Sequence, residues 1–178
     1  LTHVDAVLFT HEHQDHIAGL DDTRPIIFRT GNEMLIYGQQ RVINRIKKVY
    51  DYAFEPQPYP GAPRIHAAPV QDGQKFSVKG IDIQSLPVIH GRLPILGYRI
   101  GGMAYLTDTN HIPEPTYELL EGLDVLVIDA LSRINSNKKR GDKNLDFIRE
   151  FQKRLEIYGG LDITLDYYIY ASKLTPIN

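Results

Sequence analysis

Short apolar runs closed by polar clusters set the pattern of the first third of the chain. Asp5-Ala6-Val7-Leu8-Phe9 is continuous rather than alternating, which predicts a short buried strand. A helical turn is expected from His16 to Leu20, with Asp15 placed to cap it. Ile26-Ile27-Phe28 is a second apolar run and Met34-Leu35-Ile36-Tyr37 a third, ended by Gly38. From Gln39 to Tyr52 the period changes. Val42, Ile43, Ile46, Val49 and Tyr50 recur at helical spacing, with Arg41, Arg45, Lys47 and Lys48 mostly opposite, so a helix with a solvated basic face is expected. Pro56, Pro58, Pro60 and Pro63 then remove donors and fix φ, which predicts an irregular connection over Phe54–Pro63.

Beyond Ile65 the signals are those of strands: Ile65–Val70, Lys75–Val78 and Ile81–Val88, with Asp72-Gly73 and Lys79-Gly80 where tight turns would join them. Leu96–Ile100 and Met103–Leu106 flank Gly101-Gly102 as a hairpin. Pro113–Leu120 predicts a short helix, with Pro113 suited to its first turn, and Leu123–Ile128 a buried strand ending at Asp129. Ser132–Asp142 reads as an exposed loop. Asn144–Tyr158 carries Leu145, Ile148, Phe151 and Leu155 on one helical face and stops at Gly159-Gly160, and Ile163–Tyr170 reads as a last strand. Strands and helices in this mixture give an α/β chain, read as a single domain over residues 1–178.

Composition changes this picture only by exclusion. A chain of 178 residues, 42% hydrophobic and 24% charged, can bury one real core. A formal net charge of −2 provides no global basic field for nucleic acid. The absence of cysteine removes disulfides and thiolate metal sites. No apolar run approaches the roughly 20 residues that span a bilayer, and no signal segment opens the chain, so a cytoplasmic setting without membrane contact is the expectation. Homodimerisation stays open.

The chemistry concentrates in Thr10-His11-Glu12-His13-Gln14-Asp15-His16, directly after Val7-Leu8-Phe9. Imidazole and carboxylate are the ligands a borderline divalent ion takes when thiolates are absent. A strand ending in such a cluster delivers them from a rigid edge into an accessible loop. Glu12 and Gln14 alternate with the donors and read as outer or surface residues. His90 and Asp108 each follow an apolar strand reading. His3, His66 and His111 carry structural or surface readings, with His111 a further candidate ligand.

His-x-His-x-Asp-His, with Gly19-Leu20-Asp21-Asp22-Thr23-Arg24 after it, resembles the metallo-β-lactamase superfamily and, within it, the PhnP-like branch of cyclic phosphodiesterases. The resemblance covers about Asp5 to Leu131. It implies a four-layer αββα sandwich, with the first sheet of the fold preceding Leu1. It puts His11, His13 and His90 on one metal, Asp15 and His16 on a second, and Asp108 between both. The cofactors implied are two divalent ions, Zn2+ or Mn2+, roughly 4 Å apart, which would activate a bridging hydroxide at neutral pH. Asp15 and Asp108 are the carboxylates implied in catalysis, and a small phosphate ester, cyclic esters included, is the implied substrate. The pattern departs after Leu131. A further histidine ligand and a histidine proton donor would be expected there, yet no histidine follows His111. Other superfamily reactions, on an RNA 3′ end, a thioester or a lactam, share the same core, and a metal-binding protein with impaired catalysis is the non-enzymatic alternative.

Overall fold

In the computed structural model of the chain, residues 2–56 and 59–128 are described. Three strands near the start, β1 (Ala6–Leu8), β2 (Met34–Gly38) and β3 (Ile65–Pro69), form a parallel sheet in the order β1-β2-β3. Parallel neighbours need crossovers, and helices supply them. Between β1 and β2 come α1 (Gln14–Ile17), a 3-10 segment (Ala18–Thr23) and α2 (Arg24–Thr30); between β2 and β3 comes α3 (Gln40–Val49). The apolar stripe of α3 behaves as its spacing predicts. Val42, Ile43 and Ile46 are buried, and they pack with Phe9, Ile17, Leu20, Met34 and Ile36 in one core.

Five further strands, β4 (Lys75–Val78), β5 (Ile81–His90), β6 (Leu93–Ile100), β7 (Met103–Leu106) and β8 (Val125–Ile128), form a mixed sheet in sequence order. β4–β5 and β6–β7 are antiparallel, whereas β7–β8 is parallel and carries α4 (Glu114–Leu120) in its crossover. The chain divides into two compact units at Ser85/Leu86, within β5. The core of the second unit gathers Leu86, Val88, Ile95, Ala104 and Leu106 from its strands with Tyr117 and Leu120 from α4. No described helix is long and apolar enough to cross a membrane.

Several expectations change in detail. The apolar run Ile26–Phe28 lies in a helix, because Pro25 sits in its first turn and Gly31, with φ of 69°, closes it in the left-handed conformation. The expected helix ending at Tyr52 stops at Val49 and gives way to a 3-10 turn over Asp51–Ala53. His13, not Asp15, precedes the first helical residue, and Asp15 lies inside the first turn, where a carboxylate favours the helix dipole. Pro113 likewise stands just before α4 rather than in it. Asp72-Gly73 does turn the chain, with Gln74 N donating to Gln71 O at 3.2 Å. It does not make the expected hairpin, because β3 pairs in parallel with β2 and the chain changes sheets there. Lys79-Gly80 is a true hairpin turn, both residues having positive φ. β5 and β6 are longer than their readings, with β5 reaching His90 itself. The expected loop over Ser132–Asp142, helix over Asn144–Tyr158 and strand over Ile163–Tyr170 lie outside the described residues.

Two contacts are decisive for the second unit. Gly97 in β6 has no room for a side chain: an added Cβ would meet Leu106 Cδ2 and lie 2.7 Å from Tyr105 O. Arg99 closes the end of α4, donating from Nη1 to Leu119 O and Glu121 O at 2.7 Å each. In denaturant titrations Gly97→Ala should cost about 1–3 kcal/mol through overpacking against a backbone that cannot yield. Gly19→Ala, whose Cβ would meet only Asp22 at 3.8 Å, should stay within about 0.5 kcal/mol. Arg99→Met should lower stability by about 1–3 kcal/mol, since carbonyls lose a charged donor.

Candidate metal centre

The motif begins where the parallel sheet stops. Phe9 N donates to Tyr37 O at 2.8 Å, extending the β1–β2 ladder by one rung. Thr10 and His11 follow, both buried, His11 completely so. Gln14 then starts α1, His16 N donating back to His13 O at 3.0 Å. Ile17, fully buried, anchors the far end of this short turn, and Tyr50 Oη donates to Ile17 O at 2.9 Å and Ala18 O at 3.0 Å. Burial and the nearby Asp21 and Asp22 carboxylates raise the Tyr50 phenol pKa, so it stays a protonated donor.

This backbone folds three imidazoles together. His11 Nε2 lies 3.0 Å from His13 Nδ1, with the two rings edge to face at 77°. The His11 and His16 rings are 4.1 Å apart between centroids, and these two residues present ring nitrogens within 4.8 Å of each other. On its other side His11 Nδ1 is 3.1 Å from Thr10 Oγ1. When Nδ1 carries the proton toward Thr10, Nε2 is left with its lone pair directed at the cluster. Asp15 Oδ2 is 3.6 Å from His16 Nε2, and the Asp15 side chain is 63% exposed.

The donor set fits a divalent ion. Two ligands on a tetrahedral ion with metal–nitrogen bonds of about 2.0–2.1 Å stand roughly 3.3 Å apart, close to the spacing of His11 Nε2 and His13 Nδ1. Imidazole and carboxylate without thiolate suit zinc or manganese better than a soft ion.

In the second unit His90 is the last residue of β5, followed by Gly91 with φ of 65°. Asp108 comes two residues after β7, buried at 7% exposure. Its φ is 54°, a left-handed conformation rare outside glycine, which aspartate tolerates better than most residues. A buried carboxylate held in that conformation marks a position fixed by its surroundings. The loops carrying both residues are laced together. Ile89 N donates to His111 O and Asn110 N to Ile89 O, both at 2.9 Å, and Thr109 Oγ1 donates to Ile89 O at 3.3 Å and His111 O at 3.2 Å. Asn110 Oδ1 accepts from Gly91 N. Thr116 Oγ1 on α4 donates to Pro87 O at 2.7 Å.

Of the expected site residues, the first unit thus gathers His11, His13, Asp15 and His16 in one loop and turn, and the second sets His90 at the end of β5 and Asp108 in the loop after β7. His3 is exposed and pairs with Asp5 at 2.8 Å, and His66 is exposed on β3. His111 is exposed and fastens Ile89 through its backbone. Three residues gain roles that the sequence reading did not give them. Thr10 sets the His11 ring, Asn110 holds the turn after His90, and Arg41 is an ion-pair partner of Glu12 rather than part of a solvated face. The Gly19–Arg24 run is pinned to the segment after α3, with Tyr52 Oη donating to Asp21 Oδ1 at 2.7 Å and Arg24 Nη2 to Gly61 O. Burial and the Asp21 hydrogen bond raise the Tyr52 phenol pKa, so that proton stays in the bond.

The chain is similar to known proteins in sequence and in fold. Residues 1–146 match the family described as the beta-lactamase superfamily domain. Among solved structures, a diphosphatase of the PhnP family is 32% identical with a TM-score of 0.69, over 84% of this chain and 57% of that one. The metallo-β-lactamase fold protein YhfI from Bacillus subtilis shares the fold at 19% identity and a TM-score of 0.54, over 78% of this chain and 54% of its own. A Porphyromonas gingivalis protein named octanoyltransferase is 42% identical over 128 residues, 72% of this chain but 26% of that protein. The chain thus spans about a quarter of that curated relative and somewhat over half of the diphosphatase. With its motif at the end of a parallel strand and a match that runs past Leu131, the chain belongs to the metallo-β-lactamase superfamily, in its PhnP-like branch.

Proposed function

We propose that the chain is a metal-dependent hydrolase of phosphate esters or phosphoanhydrides. The observation that carries the reading is the convergence of the His11, His13 and His16 rings at the end of β1, in a chain 32% identical to a PhnP-family diphosphatase. In this reading His11, His13 and His90 would hold one divalent ion and Asp15 and His16 a second, with Asp108 a ligand available to both. Such ions, zinc or manganese, lower the pKa of bound water toward neutrality and offset charge on phosphoryl oxygens.

The chain's own residues set the terms. Thr10 Oγ1, 3.1 Å from His11 Nδ1, holds that ring in one orientation, and with the proton on Nδ1 the Nε2 lone pair would face the cluster. Asp15, largely exposed beside His16, is accessible to a proton released during attack. Asp108 is suited to fixed ligation, because its backbone and burial leave it little freedom. Phosphate and nitrophenolate leave with little help from a proton donor, so esters that carry them are the most direct substrates for testing this reading. A small substrate and a cytoplasmic setting suit a chain with net charge −2 and no cysteine.

A second reading is acyl chemistry, since a relative at 42% identity is named an octanoyltransferase. Only 26% of that protein is matched, by a chain that itself matches the beta-lactamase superfamily domain, so its name can describe the remaining three quarters. Phosphate chemistry is therefore preferred.

Reconstituted with zinc or manganese, the chain should bind about two equivalents of metal by elemental analysis. His90→Ala should lower that content; unchanged content would refute its assignment as a ligand. Bis-p-nitrophenyl phosphate or a diphosphate ester should turn over, and an octanoyl thioester should not. Asp108→Asn should reduce turnover by more than the 10–100-fold typical of residues behind the ligands. Thioester cleavage alone would favour the acyl reading, and two bound metals without turnover of any substrate would point to a metal-binding protein without catalysis.

A further inference from the structure

We infer that Arg41 is a positioning residue for the metal motif, acting through Glu12 on the histidines either side of it. Three observations in the first unit lead there. Arg41 Nη1 forms an ion pair with Glu12 Oε2, the side chains being 33% and 26% exposed. Its other terminal nitrogen, Nη2, donates to Gln39 Oε1 at 2.8 Å, and Gln39 Nε2 donates to Asp72 Oδ1 at 2.7 Å. Glu12, Gln39 and Asp72 lie in the segments that follow the C-terminal ends of β1, β2 and β3 respectively. One polar chain therefore ties together the three loops at that end of the parallel sheet.

The location of Arg41 argues that this pairing is its purpose. It is the second residue of α3, at the positive end of the helix dipole, where a cation is disfavoured. Arg45, one turn later, is exposed. An arginine at the unfavourable end of a helix, half-buried and forked between two acceptors, is held by those acceptors and not by helix preference.

The consequence falls on His11 and His13. Glu12 alone separates them, so its backbone torsions help to set how the two side chains face each other. Anchoring its side chain to α3 restricts those torsions and keeps the ring nitrogens converged before any ion arrives. Preorganisation of this kind raises affinity by removing ordering cost, and residues behind metal ligands typically change affinity 10–100-fold.

As a statement about metal affinity this rests on the proposed metal centre, so the test has one arm that needs no metal. In the metal-free protein, amide hydrogen exchange at residues 11–13 should speed up at least fivefold in Arg41→Met and in Glu12→Gln, and not in Arg45→Met. In the second arm, competitive chelator titration should show zinc affinity falling about tenfold in either variant. The double variant should be no worse than the weaker single one, and Arg41→Lys, which keeps the charge but not the fork, should recover part of the loss. If wild-type protein binds no zinc, the metal reading fails while the exchange arm still decides the positioning role. Unchanged exchange at residues 11–13 in both Arg41→Met and Glu12→Gln would overturn the inference, as would an equal effect of Arg45→Met. Should Arg41→Met fail to fold, Glu12→Gln reports on the same pair.

Discussion

The bond from Phe9 N to Tyr37 O is the last rung before the chain leaves the sheet, and the motif depends on it. Up to that rung the backbone is held by β2; beyond it, seven residues supply the donors. Gly38 allows the approach, since a Cβ there would lie 3.3 Å from both Phe9 Cβ and Phe9 O. Buried His11 is thereby fixed in depth, and His13 and His16 fold over it through a turn anchored by Ile17. Ligands delivered this way need little ordering when an ion binds, which is the advantage of building a site at the end of a parallel strand.

The second unit places its two candidate donors by different means. There, no single loop carries both His90 and Asp108. The end of β5 and the loop after β7 are bound side by side through Ile89, Asn110 and His111, and Asp108, two residues beyond β7, is buried with a left-handed backbone. Satisfied backbone groups in these loops keep their burial inexpensive. The two solutions differ in their tolerance to change: the first is sensitive to the torsions of one short peptide, the second to the lacing between two.

Much of this was legible in the sequence where the signal was local. Scarce donors at fixed spacing marked Thr10–His16, where the structure brings the His11, His13 and His16 rings together, whereas His90 and Asp108 were candidates from strand ends and family order and stay proposed ligands. Helical spacing found the buried face of α3. What failed to show was the choice of partner. Asp72-Gly73 announces a turn correctly, but nothing in a turn says whether the strands beside it pair, and β3 joined β2 instead. Arg41 sits on the polar side of its helix by periodicity, yet its partner Glu12 is 29 residues away. The backbone strain at Asp108 likewise has no local signature, because aspartate after a strand is equally common in ordinary turns.

The central claim is that imidazoles from this chain hold its metal. Zinc K-edge X-ray absorption on the loaded protein tests it most directly. The account predicts a nitrogen and oxygen shell at about 2.0–2.1 Å with imidazole scattering from about two histidines per zinc, diminished in His11→Ala. A shell of oxygens alone, or one unaltered by His11→Ala, would contradict it.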